Sequence, residues 1–94
     1  MTIVKEWSDD FLEKMKNRML VSFHKYGPVK DSQFTHKSIS DVKKRIEKYE
    51  ETGNTEWLID AANFCMIEFM YPSHKDAHFR ATDSHESPGI RRRK

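Results

Sequence analysis

Apolar positions along the chain fall into three runs separated by two breaks. The first run contains Phe11, Leu12, Met15, Met19, Leu20 and Phe23, which recur at helical intervals until "YGP" (Tyr26 to Pro28) stops them. Ser8 is placed to cap this run, and Asp9 and Asp10 occupy the first turn, where the helix dipole favours acids. Trp7 is spaced to staple against Leu12. The pattern predicts a helix over about residues 9–26. "VKDSQFTHK" has no period and predicts a loop. In the second run Ile39, Val42, Ile46 and Tyr49 share a stripe, Ser38 with Asp41 has the form of a capping box, and Gly53 is a stop. These features predict a helix over about 39–51. Asn54 can cap a third helix, over about 54–70, that Pro72 ends.

The third run, "WLIDAANFCMIEFMYP", differs in kind. A helix apolar nearly all round is central to a domain or shared between subunits, and with only two other helices some of its surface is expected to meet a second copy. Yet Asp60 and Asn63 lie within it. At 100° per residue they share with Glu56 a strip about 60° wide, whereas Glu68 points elsewhere. Burying such groups unpaired costs roughly 1–3 kcal/mol each, so partners are required. A structural reading pairs Asp60 with Arg45 or a lysine of the second helix, and lets Asn63 bridge to backbone and fix the register of the bundle. A functional reading turns the strip toward a pocket that takes a metal, a ribose or a base edge. On sequence alone both stay open.

Ninety-four residues make one domain with a limited core, which is a second reason to expect a homo-oligomer. The expected fold is all-α: a small three-helix bundle over residues 1–72 and a polar tail over 73–94, extended or loosely helical. Cys65 is the sole cysteine, so one chain can assemble neither a disulfide framework nor a thiolate zinc site. Its apolar run is expected to hide the thiol and raise its pKa. No signal segment precedes Trp7, and the third run is too short and too polar to span a bilayer, so a soluble cytoplasmic protein and no membrane partner are expected.

The net charge of +2 is unevenly placed. From Tyr71 onward six Lys or Arg face Asp76, Asp83 and Glu86, a net +3, which leaves −1 on residues 1–70. A basic tail suits anionic ligands. Lys25 and Lys30 flank "YGPV", with Tyr26 as a stacking ring; Arg80, Thr82 and Ser84 offer donors to phosphates, and Asp83 an acceptor for a ribose hydroxyl or base amine. Arg45, Asp60, Asn63 and His78 complete the candidate ligand set. Each has a plainer rival: Tyr26 as a half-buried cap of the core, the lysines as solvated surface, "RATDS" as a helix stop bonded to nearby backbone. His74 and His78 would share a face if the tail were helical, but no third ligand completes a metal site, and no cofactor is expected. "IRRRK" lacks interleaved aromatic residues and reads as a solvated basic end, so nucleic acid is not an expected partner. With no Gly-rich phosphate loop and no Gly-x-Ser-x-Gly, nucleophilic catalysis has no support.

"EKYE" (Glu47 to Glu50) followed by "EWLIDAANFCMIEF" resembles the MazG-like all-α nucleotide pyrophosphohydrolases, whose Glu-x-x-Glu and Glu-x-x-Asp pairs hold magnesium. Over residues 38–70 the resemblance implies Glu47, Glu50 and Asp60 as ligands. Trp57 stands where the family has a further Glu, and Glu56 is one position off the required face, which argues against pyrophosphohydrolysis. Separately, "YGPVK", "EKYEETGNTEWLIDAANFCMIEFMYP" and "HFRATDSHESPG" resemble a widespread group of small bacteriophage proteins, which implies a phage origin and action in the host cytoplasm during infection. In size, helicity and expected assembly the chain is similar to phage helical sponges that sequester cyclic oligonucleotide or ADP-ribose-type immune signals. The expectation is a binder of small nucleotide ligands without turnover, its pockets at subunit interfaces where one chain's tail closes over another's helix ends. A MazG-like hydrolase and an inhibitor that binds a host protein are the rivals.

Overall fold

A computed structural model of the chain describes residues 5–31, 37–83 and 85–86. Among these residues it contains three α-helices, α1 (Asp9–Tyr26), α2 (Ser38–Thr52) and α3 (Glu56–Met70), with one 3-10 turn at Val29–Asp31 and no strand. The fold is the expected all-α three-helix bundle. Residues 32–36 and the "IRRRK" end lie outside the described residues.

The helix ends follow local chemistry. Ser8 Oγ accepts from the Phe11 amide at 3.0 Å and caps α1 as its sequence position predicts. Asn54 does not cap α3 as expected: the cap position is Thr55, which makes no side-chain capping bond, and Asn54 Oδ1 accepts from the Glu56 amide at 3.0 Å in a local turn, so the helix begins at Glu56. Gly53 closes α2 at φ 71°, where a side chain would be strained, and its amide reaches the Tyr49 carbonyl at 2.7 Å. The Trp7 indole donates to Asp9 at 3.2 Å and stays exposed.

Ser38 departs from its predicted role. It is the first residue of α2 and not its cap, and the preceding Lys37 makes no side-chain capping bond. The Ser38 hydroxyl, 1% exposed, instead donates to Glu68 Oε1 at 2.6 Å. Glu68 also accepts from the Ser73 amide at 2.7 Å and from the Ser73 hydroxyl at 3.0 Å. One carboxylate therefore ties the start of α2, the end of α3 and the segment after it. The Ser38 hydroxyl and then the Ser73 amide hold its pKa below the ordinary carboxylate value, against a smaller opposing effect of desolvation.

The central element is α3, which packs extensively on α2 and more sparsely on α1. Its face toward α1 carries Ile59, Asn63 and Ile67, all about 5% exposed, and Ala61 is also buried. These three apolar side chains are the whole buried apolar core among the described residues. The buried stripe of α2 is rotated from the expected one: Ser38, Asp41, Val42, Arg45 and Tyr49 turn inward, while Ile39 and Ile46 are 45% and 39% exposed. The reason lies on α3, where Phe64 and Glu68 offer a ring to Arg45 and an acceptor to Ser38. α1 contains no buried residue at all. Residues 72–83 are exposed coil and turns, so His74 and His78 share no helical face.

Two measurements check this account. Ile67→Ala should lower unfolding free energy by about 2–4 kcal/mol in urea titrations, the usual range for emptying a tight site of this size. A carboxylate with a lowered folded pKa stabilises above its unfolded value, and that contribution disappears as pH falls through the folded one. The stability of the wild type to thermal unfolding should therefore decline from about pH 5 downward, and Glu68→Gln should reduce that decline while lowering stability at pH 7.

Candidate functional site

The polar strip of α3 is where α1 is attached. Arg18 of α1 places Nε 3.3 Å from Asp60 Oδ1 and Nη1 3.6 Å from Glu56 Oε1. Asn63 Nδ2 donates to the Met15 carbonyl at 3.1 Å. Asp60 thus pairs with the first helix, not with Arg45 or a lysine of the second as the structural reading supposed. The reason is geometric: the strip at Glu56, Asp60 and Asn63 faces α1, and α2 packs against the neighbouring face that bears Phe64 and Glu68. For Asn63 the backbone bridge is as expected.

Beside this crossing lies a hollow of about 220 Å³, bounded by the C-terminal half of α1, Val29, Arg45 of α2 and Asp60, Asn63, Phe64 and Ile67 of α3. Five residues selected from sequence meet here: Lys25, Tyr26, Arg45, Asp60 and Asn63. They come from three helices, and folding alone unites them. Arg18 adds a third cation to the lining. The Arg45 guanidinium lies over the Phe64 ring, 4.6 Å from its centroid, and Nη1 is 3.5 Å from Asp41 Oδ1. The stacked plane fixes the guanidinium, yet its Nε–H is buried with no hydrogen-bond partner. Asn63 Oδ1 is likewise buried and unbonded. An unmet donor and an unmet acceptor on the walls of one small hollow are uncommon in native proteins, each costing about 1–3 kcal/mol.

Tyr26 stands at the rim, 62% exposed, and is not the half-buried core cap of the plainer reading. Lys25 is also exposed, and the described residues give it no ion-pair partner. The remaining candidates do not line this hollow. Lys30 is exposed within the 3-10 turn. Arg80 is committed to Glu86, Nη2 to Oε2 2.6 Å, an attachment that with the Asp83 amide holds the Glu86 pKa low. His78 Nδ1 lies 2.8 Å from the Asp76 carbonyl, Asp83 Oδ1 accepts from the His85 amide at 3.1 Å, and Thr82 is exposed. Ser84 lies outside the described residues. His78, Arg80 and Asp83 are thus held by neighbours a few residues away, which their spacing in sequence also allowed.

Glu47, Glu50 and Asp60 do not come together as a magnesium site, and no group of three metal-ligating side chains occurs among the described residues. Glu47 borders a separate shallow hollow with Lys44, Lys48 and the half-buried Trp57, the residue in place of the missing family carboxylate, and Glu50 is exposed. Cys65 is exposed, contrary to its expected burial, because its side of α3 is covered by neither other helix. A larger cavity of about 640 Å³ lies between the starts of α1 and α3, floored by Phe11, Leu58 and Ile59. Its rim charges are already matched, Lys14 to Asp10 at 2.6 Å and Arg18 to Glu56, so it offers little to an anion. No described helix is long and apolar enough to cross a membrane.

No family model, curated protein or solved structure matches the chain. The chemistry of the site therefore rests on its own residues.

Asn63→Asp should be the most damaging single substitution in this region. It replaces the amide donor facing the Met15 carbonyl with a buried acceptor, and should cost about 3 kcal/mol or more in urea unfolding at pH 7.

Proposed function

We propose that the protein binds small phosphate-bearing ligands of the nucleotide class in the hollow between α1, α2 and α3, and holds them unchanged. The observation that carries this reading is the convergence of Lys25, Tyr26, Arg45, Asp60 and Asn63 from three helices around a space in which the Arg45 Nε–H has no partner. Lys25 and Arg45 supply charge to a phosphate, the fixed guanidinium plane being the more directional of the two. The exposed Tyr26 ring offers a face to a base. Asp60 and Asn63 offer acceptors to ribose hydroxyls.

A volume of about 220 Å³ is below the usual range of roughly 300–1,000 Å³ for whole small-molecule ligands. It suits one phosphate with part of its sugar, the base lying outward on Tyr26. Holding without turnover is favoured by the scatter of Glu47, Glu50 and Asp60 and the engagement of Asp60 with Arg18. The resemblance to bacteriophage proteins supplies a setting, sequestration of signalling nucleotides of the cyclic oligonucleotide or ADP-ribose type in an infected cell.

The reading is tested by mixing the protein with a panel of cyclic oligonucleotides, ADP-ribose derivatives and nucleoside triphosphates plus Mg²⁺, filtering off the protein, and analysing filtrate and denatured protein by mass. A compound depleted from the filtrate and recovered intact is the expected result. Conversion to products would replace binding with hydrolysis, and no depletion would overturn the reading. For the retained compound, Lys25→Ala and Arg45→Ala should each weaken Kd about tenfold or more, the equivalent of about 1.4 kcal/mol, whereas His78→Ala and Thr82→Ala should leave it within about twofold.

A further inference from the structure

The hollow between the three helices presents an acceptor whose orientation the protein settles by itself. Asn63 is 5% exposed, and its Nδ2 donates to the Met15 carbonyl at 3.1 Å. That bond fixes which way the amide lies, because the reversed amide would set its oxygen against the Met15 carbonyl oxygen. Oδ1 is therefore the atom left over, and it is buried with no hydrogen-bond partner. An amide oxygen only accepts, so whatever satisfies it must donate. The second unmet atom in the lining is the opposite case: the Arg45 Nε–H only donates and requires an acceptor. Asp60 does not duplicate the Asn63 oxygen, since its Oδ1 lies 3.3 Å from Arg18 Nε and carries a charge that the cation already answers.

Given the nucleotide reading of the hollow, on which this rests, we infer that Asn63 reads a free ribose hydroxyl and so selects ribonucleotides over their deoxy counterparts. An ionised phosphate carries acceptors and no proton to give, so it meets the Arg45 Nε–H and cannot meet Asn63 Oδ1. An ammonium has the reverse defect. A sugar phosphate carries both kinds of group on one small frame, and a hollow of about 220 Å³ holds such a frame while leaving the base outside. Base amines are donors too, but the base lies at the rim on Tyr26, which is 62% exposed. The sugar hydroxyl is then the donor that remains for Asn63. A site built to bond a hydroxyl rejects the analogue that lacks it, because the buried acceptor stays unpaired in the complex. Discrimination falls on Asn63, since Lys25 and Arg45 answer the phosphate and are indifferent to the sugar.

Replacing Asn63 would also remove the anchor of α1, so the test alters the ligand and keeps the chain intact. ATP, ADP-ribose and cyclic di-adenylate are each titrated calorimetrically into the wild-type protein, beside the forms in which one ribose hydroxyl is replaced by hydrogen or by fluorine. Fluorine keeps the size and polarity of the hydroxyl but has no proton to donate. At one hydroxyl position of a probe that binds, both replacements should weaken Kd about tenfold or more. Asp60→Asn should leave that ratio within about twofold. If a probe binds and its hydrogen forms bind as tightly at every position, the nucleotide site stands and the role of Asn63 falls. Fluorine forms that bind like the hydroxyl would overturn it as well, because size and not the proton would then be read. So would loss of the ratio in Asp60→Asn, which would assign the hydroxyl to Asp60. If none of the probes binds, the nucleotide site itself falls, and the role of Asn63 with it.

Discussion

The side chain of Asn63 donates to the Met15 carbonyl from the middle of the most apolar helix in the chain, and the position of α1 depends on that contact and the adjoining Arg18–Asp60 pair. Both lie on the only face of α3 that α2 leaves uncovered toward α1. Because a buried amide requires a partner, α1 has few ways to lie across α3, and the chosen crossing opens the small hollow on one side and the larger cavity on the other. The geometry of the candidate site follows from a polar contact in the middle of an apolar helix.

This arrangement has a cost in apolar burial. A core of Ile59, Ala61 and Ile67 is small even for a chain of this length, and polar clamps carry much of the specificity. Glu68 gathers Ser38 and Ser73, Arg45 lies on Phe64, and Arg18 gathers Glu56 and Asp60. Such contacts define direction better than they add net stability, since much of what they gain is offset by desolvation. The exposure of Leu12, Leu20 and Phe23 on α1 is the counterpart of the small core.

The same economy bears on the site. Arg45 stacked on a ring, with one N–H unmet, is a cation held in place before any ligand arrives, and a fixed donor loses little freedom on binding. The tail residues offer the contrary case. Arg80, Asp83 and His78 have the right chemistry for phosphate and ribose, but each is occupied by a neighbour a few residues away. Chemical suitability therefore separates from availability, and only the three-helix hollow combines the two.

Periodicity, caps and stops were sufficient for the three helices, and the angle between Asp60 and Asn63 was sufficient to show that they share a face, because these depend on neighbours within about two turns. Ser8 and Gly53 act as their local sequence implies. The sequence assigned Asp60 a cation of the second helix and passed over Arg18 of α1, because nothing local says which helix that face meets. It also misjudged Ser38, whose spacing from Asp41 fits a cap, and Cys65, whose apolar neighbours suggested burial. In both cases the deciding partner is remote: Glu68 lies thirty residues from Ser38, and the absence of any helix over Cys65 is a property of the whole arrangement. Helices are determined by interactions within one segment; which of their faces meet, and therefore which charges share a pocket, is decided only when separate segments compete for the same buried surface.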